Sequence, residues 1–219
     1  MIRNIFIGCL LAIALTGCGS TNNEPPRLYI KPDYYDGVNP LAFSPDRNQV
    51  ITAGSDNIIR LWDITSGTLV RQYSGHTEPV TTLAFSADGD RFVSGGWDKT
   101  LRLWNVAQPE ALRVMTGHNY ALQSVVLSPD NRTITSKSVD GEIRLWSASD
   151  GQLLMTAMTL NDGGWIGYTE THDFHGSTGS DQFVRWRVDG KKVFREDLNR
   201  QYHNAEEIIN RLHPPAARE

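Results

Sequence analysis

Cysteine is nearly absent from this 219-residue chain: there are two, Cys9 and Cys18, and none follows. Everything after position 18 is therefore without a disulfide, a thiolate metal ligand or a thiol nucleophile. An excess of positive charge is missing as well, since 21 Lys and Arg face 25 Asp and Glu for a formal net charge of −4. That balance speaks against a nucleic-acid partner. Long apolar runs are missing too, because the most apolar stretch, Ile5 to Leu15, is too short to span a bilayer. No glycine-rich phosphate loop follows a strand and opens a helix. Asp162, beside Asn161, has no second carboxylate near it to make an acid/base pair. His172, Asp173 and His175 crowd into one short segment without a further ligand in sight, which reads as a surface turn before it reads as a metal site. No catalytic residue, metal or cofactor is expected.

What the chain does have is a period. Trp62, Trp104 and Trp146 stand 42 residues apart, each closing a run of Ile or Leu, Arg, Leu and Trp. In the same register fall Phe43, Phe85 and Leu127; Ser44, Ser86 and Ser128; Asp46, Asp88 and Asp130; and Asp56, Asp98 and Asp140. Gly75-His76 recurs as Gly117-His118, whereas the first copy has Asp33-Tyr34 there. Within one copy, Val80–Phe85, Arg91–Ser94, Thr100–Trp104 and Leu112–Met115 read as β-strands separated by turns at Ser86–Gly89 and Gly95–Asp98. Four short strands per copy describe a small antiparallel sheet, and copied sheets stack because none buries its apolar faces alone.

Gly-His, then Ser-Pro-Asp or Ser-Ala-Asp-Gly, then Asp, then Leu-Trp closely resembles the WD-repeat pattern, in three copies over residues 28–158. The resemblance implies an all-β propeller. It also implies a hydrogen-bonded tetrad in each blade: His76, Ser94, Asp98 and Trp104 in the second copy, and His118, Ser136, Asp140 and Trp146 in the third. The first copy supplies Thr52, Asp56 and Trp62, with Tyr34 in place of His. The tetrads are expected to be structural, since a buried indole N–H needs an acceptor and a His oriented by Asp leaves no polar group unpaired. A Ser-His-Asp nucleophile is the weaker reading, because each Trp takes the place a substrate would need.

The first residues are read separately. Arg3 is a small positive region, Ile5–Leu15 the apolar run, and Leu15-Thr16-Gly17-Cys18 resembles the bacterial lipobox. The resemblance implies a signal peptide over 1–17, acylation of Cys18 with diacylglycerol and palmitate-like chains, and a polar tether over 18–27. The alternative is an ordinary secretory signal with a stray Cys18. With the signal removed, Arg3 leaves and the net charge becomes −5. Gly19 rather than Asp after the Cys favours, by resemblance to Gram-negative sorting rules, an outer-membrane lipoprotein facing the periplasm.

Residues 159–194 depart from the repeat. Trp165–Tyr168, Asp173–Ser177 and Phe183–Trp186 keep a strand-and-turn rhythm that resembles a divergent tail following WD repeats in some bacterial proteins, and they are expected to form a degenerate fourth blade. Over 195–219, Leu198, Tyr202, Ala205, Ile208, Ile209 and Leu212 make one helical face ended by Pro214-Pro215, although Asn204 with Glu207 offers a later start. The helix is expected to cap a sheet edge. Propellers close with about four to eight blades. Leu28–Ile30 can complete a four-bladed ring; an open arc, a ring completed by several chains and a truncated longer propeller are the alternatives.

The sequence points to a membrane-anchored, non-enzymatic protein-binding scaffold, with Tyr35, Trp97 and Tyr120 as the candidate partner surface at one end of the blades. An enzyme or cofactor-binding propeller with its site in the central mouth is the alternative.

Overall fold

The structure is a computed structural model, and it describes residues 40–161, 163–184, 186–188, 191–193, 196–204, 206 and 208. The signal, the tether, Cys18, Leu28–Ile30, Tyr34, Tyr35, Ala205, Ile209 and Leu212 lie outside the described residues. Among those described, no helix is long and apolar enough to cross a membrane.

The three copies become three antiparallel sheets whose strands are neighbours in chain order. The first contains β1 (Leu41–Phe43), β2 (Gln49–Ala53), β3 (Ile59–Asp63) and β4 (Leu69–Tyr73); the second contains β5 (Val80–Phe85), β6 (Arg91–Gly96), β7 (Leu101–Asn105) and β8 (Ala111–Met115). The third begins with β9 (Leu122–Leu127), β10 (Thr133–Ser138), β11 (Ile143–Ser147) and β12 (Leu153–Thr159).

The repeated Ser-x-Asp is a turn lock. Ser44, Ser86 and Ser128 each donate a hydroxyl hydrogen to the Asp two residues on, at 2.6, 2.5 and 2.6 Å. Each Asp accepts a backbone N–H two residues further along, and each Ser oxygen accepts one five residues along. The serine hydroxyls hold all three carboxyls below the usual carboxylate range. The sequence thus closes the β1–β2, β5–β6 and β9–β10 connections with local bonds alone. At the same end of each sheet the register slips at one residue, between Leu61 and Trp62, Leu103 and Trp104, and Leu145 and Trp146. A slip of this kind re-aims the side chain at the kink, and here it is the Trp each time.

The second sheet packs its two faces against different neighbours, which is why Phe92-Val93 can be apolar on both sides. Ile51, Ile59, Leu61 and Tyr73 of the first sheet form one core with Val80, Leu83, Phe92 and Trp104 of the second. Val93, Leu101, Leu103 and Met115 of the second form the next core with Leu122, Val125, Leu127, Ile134 and Trp146 of the third. Each such side chain contributes about 1.5–3 kcal/mol by leaving water. Gly95 sets the approach of the third sheet, for a Cβ there would lie 2.6 Å from Leu122 Cδ1.

Among the described residues, the stretch expected to build a fourth blade does not form its own four-stranded sheet. β13 (Trp165–Tyr168) pairs with β12 and β14 (Phe174–Gly176) with β13, so the third sheet grows to six strands. After a 3-10 turn at Ser180–Phe183, β15 (Trp186–Val188) and β16 (Lys191–Val193) make a separate two-stranded hairpin. The reason is the short link at residues 160–164, where Leu160 N–H donates to Gly164 O and Gly163 N–H to Leu160 O. Such a tight reversal returns the chain to the strand it has just left.

The helical tail is also divided. α1 spans Glu196–Tyr202, and Asn204 then gives its backbone N–H to Phe174 O, leaving the helix ladder. Asn204 O in turn accepts from Ile208 N–H, while Glu207, the other half of the capping-box alternative, lies outside the described residues. His203 bridges Phe174 in parallel, which puts this segment along the edge of β14.

Candidate functional site

The second copy assembles its four polar residues into one chain of bonds. Trp104 Nε1–H donates to Ser94 Oγ at 2.8 Å, Ser94 Oγ lies 2.8 Å from His76 Nε2, and His76 Nδ1 lies 2.8 Å from Asp98 Oδ2. With Asp98 accepting from Nδ1–H, Nε2 is the acceptor for the serine hydroxyl, and every donor has one acceptor. Burial pushes the Asp98 carboxyl up, but the bonds from His76 and from the Thr100 backbone outweigh it and hold the carboxyl at about 2. Thr77 N–H and the Thr100 hydroxyl complete its shell. The order of Ser, His and Asp is that of a nucleophile triad. Yet Ser94 is fully buried and its oxygen already holds an indole N–H, so no substrate atom can reach it. The glycine before His76 makes the space: a Cβ on Gly75 would lie 2.7 Å from Arg102 Nη1 and 3.4 Å from the Trp104 ring.

The third copy repeats half of this. Trp146 Nε1–H donates to Ser136 Oγ at 2.8 Å and His118 Nε2 lies 2.7 Å from it. The expected Asp140 is not the partner of His118: its carboxylate is taken by the Ser138 hydroxyl. Two positions in the register differ: Glu142 stands where the second copy has Thr100, which helps to hold Asp98, and the other is Ser138. Ser138 stands where the second copy has Gly96, and a Cβ on Gly96 would come within 3.1 Å of Asp98 Oδ1, His76 Nδ1 and Pro79 O alike. With Asp140 displaced, His118 Nδ1 is buried without a hydrogen bond, 3.3 Å from a Glu142 oxygen that also accepts from Arg144 Nε at 2.6 Å. Burial first, and the Arg144 charge second, push the His118 ring below its usual value of about 6.5. Because the folded ring resists protonation, it favours folding above about pH 6.5, and that contribution is lost as the pH falls below it. Ser138→Gly is expected to return Asp140 to His118 and raise the ring's pKa in an NMR titration, with stability changing by under about 1 kcal/mol because glycine's chain entropy offsets the new bond. An unchanged His118 titration would refute this account.

Among the described residues, the first copy shows the Trp bond alone, from Trp62 Nε1–H to Thr52 Oγ1 at 2.9 Å. Asp56 instead takes a two-pronged ion pair from Arg60, at 2.5 and 3.2 Å, and its carboxyl is lowered chiefly by that guanidinium.

The loops around these tetrads form the second candidate. Trp97 N–H donates to Pro79 O at 2.9 Å, and Val139 N–H donates to Ala121 O at 3.0 Å, so the β6–β7 and β10–β11 turns are each pinned to the Gly-His loop of their own copy. Thr81 Oγ1 ties the second copy to the third through Gly95 O and Leu122 O. Trp97 follows Gly95 by two residues and Tyr120 precedes Leu122 by two, which brings both to this end. They are 49% and 54% exposed. Val139, the register counterpart of Trp97, is exposed beside them and was not among the expected surface residues, although the 42-residue step from Trp97 marks it. Exposed apolar side chains on pinned backbone are a ready contact surface.

The histidines of the tail go to different neighbours. His172 faces the Tyr202 ring, while His175 Nδ1 lies 3.1 Å from His203 Nε2 and its ring meets Trp165 edge-on. Asp173 accepts from Thr171 and Asn204. Among the described residues, no group of three or more His, Cys, Asp or Glu is placed to hold a metal ion.

Comparison with known proteins agrees with the repeat. The family described as WD domain, G-beta repeat (WD40) matches residues 34–63, 67–105 and 109–147. WD repeat domain-containing protein 83 of Danio rerio is 40% identical over 53 residues, 24% of this chain and 17% of that protein. Periodic tryptophan protein 2 of Saccharomyces cerevisiae is 53% identical over 34 residues, 16% of this chain and 4% of that one. This chain thus spans only a small part of either relative's length. WD40 domains typically serve as non-enzymatic scaffolds that mediate protein–protein contacts. Residues 34–147 of this chain are three repeats of the WD40 family.

Proposed function

We propose that this chain is a membrane-anchored scaffold that binds a protein partner through the loop end carrying Trp97, Tyr120 and Val139. The observation that carries the reading is the exposure of two large aromatics on turns whose backbones are pinned. A side chain held this way loses little freedom on contact, and Trp and Tyr are the types that most often dominate binding energy. The sealed Ser94 argues against a hydrolytic role for the tetrads. The lipobox-like Leu15–Cys18 supports acylation of Cys18, and two or more acyl chains, at about 0.8 kcal/mol per buried methylene, suffice for stable anchoring. The envelope, and the outer membrane facing the periplasm in a Gram-negative cell, is the location this implies.

The test is crosslinking on intact cells followed by fractionation. The double variant Trp97→Ala/Tyr120→Ala is expected to lose a crosslinked partner by about tenfold or more, whereas Val114→Ala, exposed on β8, keeps it. Retention of every partner by the double variant would sink the platform. Cys18→Ser is expected to move the protein into the soluble fraction, and continued membrane retention would sink the anchor.

A further inference from the structure

The 42-residue register makes it possible to ask what each sheet face is built to meet. On the second sheet, the face bearing Leu83, Phe85, Phe92 and Trp104 is covered by the first sheet. On the third, the corresponding face bearing Val125, Leu127, Ile134 and Trp146 is covered by the second. On the first, the same face bears Leu41, Phe43, Val50 and Trp62, by the pairings Phe43 with Val50 and Val50 with Trp62. It is open: Leu41 and Phe43 are 57% and 59% exposed, against 9% for Leu83 and 3% and 6% for Val125 and Leu127.

The other end of the series carries the complement. The covering faces are centred on Ile59 and Leu61 in the first sheet and on Leu101 and Leu103 in the second, all almost fully buried. Their counterparts in the third sheet, Ile143 and Leu145, are only partly buried, and Met155 pairs with Leu145 on the same face. Exposed Trp165 extends this face on the added strand β13. Thr135 and Lys137 replace the Val93 and Gly95 of the second copy, which makes the face more polar than a permanent core, as suits a contact made between chains.

We infer that the open face of the first sheet receives the open face of the third sheet of a second copy of this chain. The occupant is specified by the internal interfaces: twice within the chain, this face is covered by a sheet of the same repeat, and among the described residues the matching covering face at the far end is only partly buried. A head-to-tail contact of this kind closes into a ring or runs on as a filament. Two copies bring together six repeat sheets, within the range of about four to eight in which propellers close, and three do not reach it. The reciprocal pairing uses both open faces of both chains.

The test uses the full-length chain with Cys9→Ser and Cys18→Ser, so that introduced thiols are the only ones. Light scattering is expected to give twice the chain mass of 24.5 kDa. Phe43→Asp and Leu145→Asp should each halve it to the single-chain value, while Val114→Asp leaves it doubled. Phe43 is exposed, so its variant keeps the fold. A chain with Phe43→Cys mixed with one bearing Leu145→Cys should join through a short bis-maleimide, and a chain carrying both should stop at two copies. A single-chain mass at tens of micromolar, a Phe43-to-Phe43 product, an extending ladder, or protection of the Phe43→Cys thiol by the chain's own residues 1–39 would each overturn the proposal.

Discussion

Ser94→Ala is expected to destabilise the repeat unit by about 3 kcal/mol, well beyond the effect of deleting the matching hydroxyl of the first copy. The loss is not of one bond but of the junction of two. Trp104 Nε1–H and His76 Nε2 both terminate on Ser94 Oγ, and both lie out of reach of solvent. Each stranded polar atom costs about 1–3 kcal/mol. Thr52→Ala removes the matching bond in the first copy, where Trp62 is only half-buried and its N–H can turn to water, so about 1 kcal/mol is expected. Urea unfolding of the two variants decides it. If Ser94→Ala costs no more than Thr52→Ala, the four-residue chain is not a cooperative network.

Phe92→Ala is expected to cost about 3–5 kcal/mol, as large-to-small changes of buried aromatics do. Its ring meets Tyr73 edge-on at 4.8 Å and stacks on Trp104 at 5.9 Å, so it joins a side chain of the first sheet to one of the second. Tyr73 also crosses between sheets, donating its hydroxyl to Val106 O at 2.7 Å. The cavity would therefore fall on the boundary between copies. In stacked repeats stability is a sum of units and of nearest-neighbour contacts. Hydrogen exchange is thus expected to rise in β1–β4 well ahead of β9–β12, and a uniform rise across all three sheets would refute this division.

The period made the sheets legible because Asp88, Asp98 and Trp104 each make their hydrogen bonds within their own copy, so the pattern repeats with the copy. The pairing of β13 with β12 was not legible in the same way, since Trp165–Tyr168 reads as a strand whichever sheet receives it, and the tight link at 160–164 makes the choice. Asp140 shows a subtler gap. Its own position matches the pattern, and what differs lies two residues to either side, in Ser138 and Glu142. The contact of His175 with His203 spans 28 residues and carries no periodic signature. Val139, by contrast, needed only the step from Trp97.

The missing Cβ of Gly75 has a consequence for how these copies can diverge. The space it leaves is filled by the Arg102 guanidinium, as Gly117 leaves space for Arg144. Glycine and arginine are therefore coupled characters: either one, changed alone, meets an obstacle or leaves a gap that the other created. The first copy, with Asp33 at the glycine position, has its Arg60 bound to Asp56 instead. Placing glycine there would not by itself rebuild the tetrad, because Arg60 is held by Asp56 and Tyr34 stands in place of the histidine.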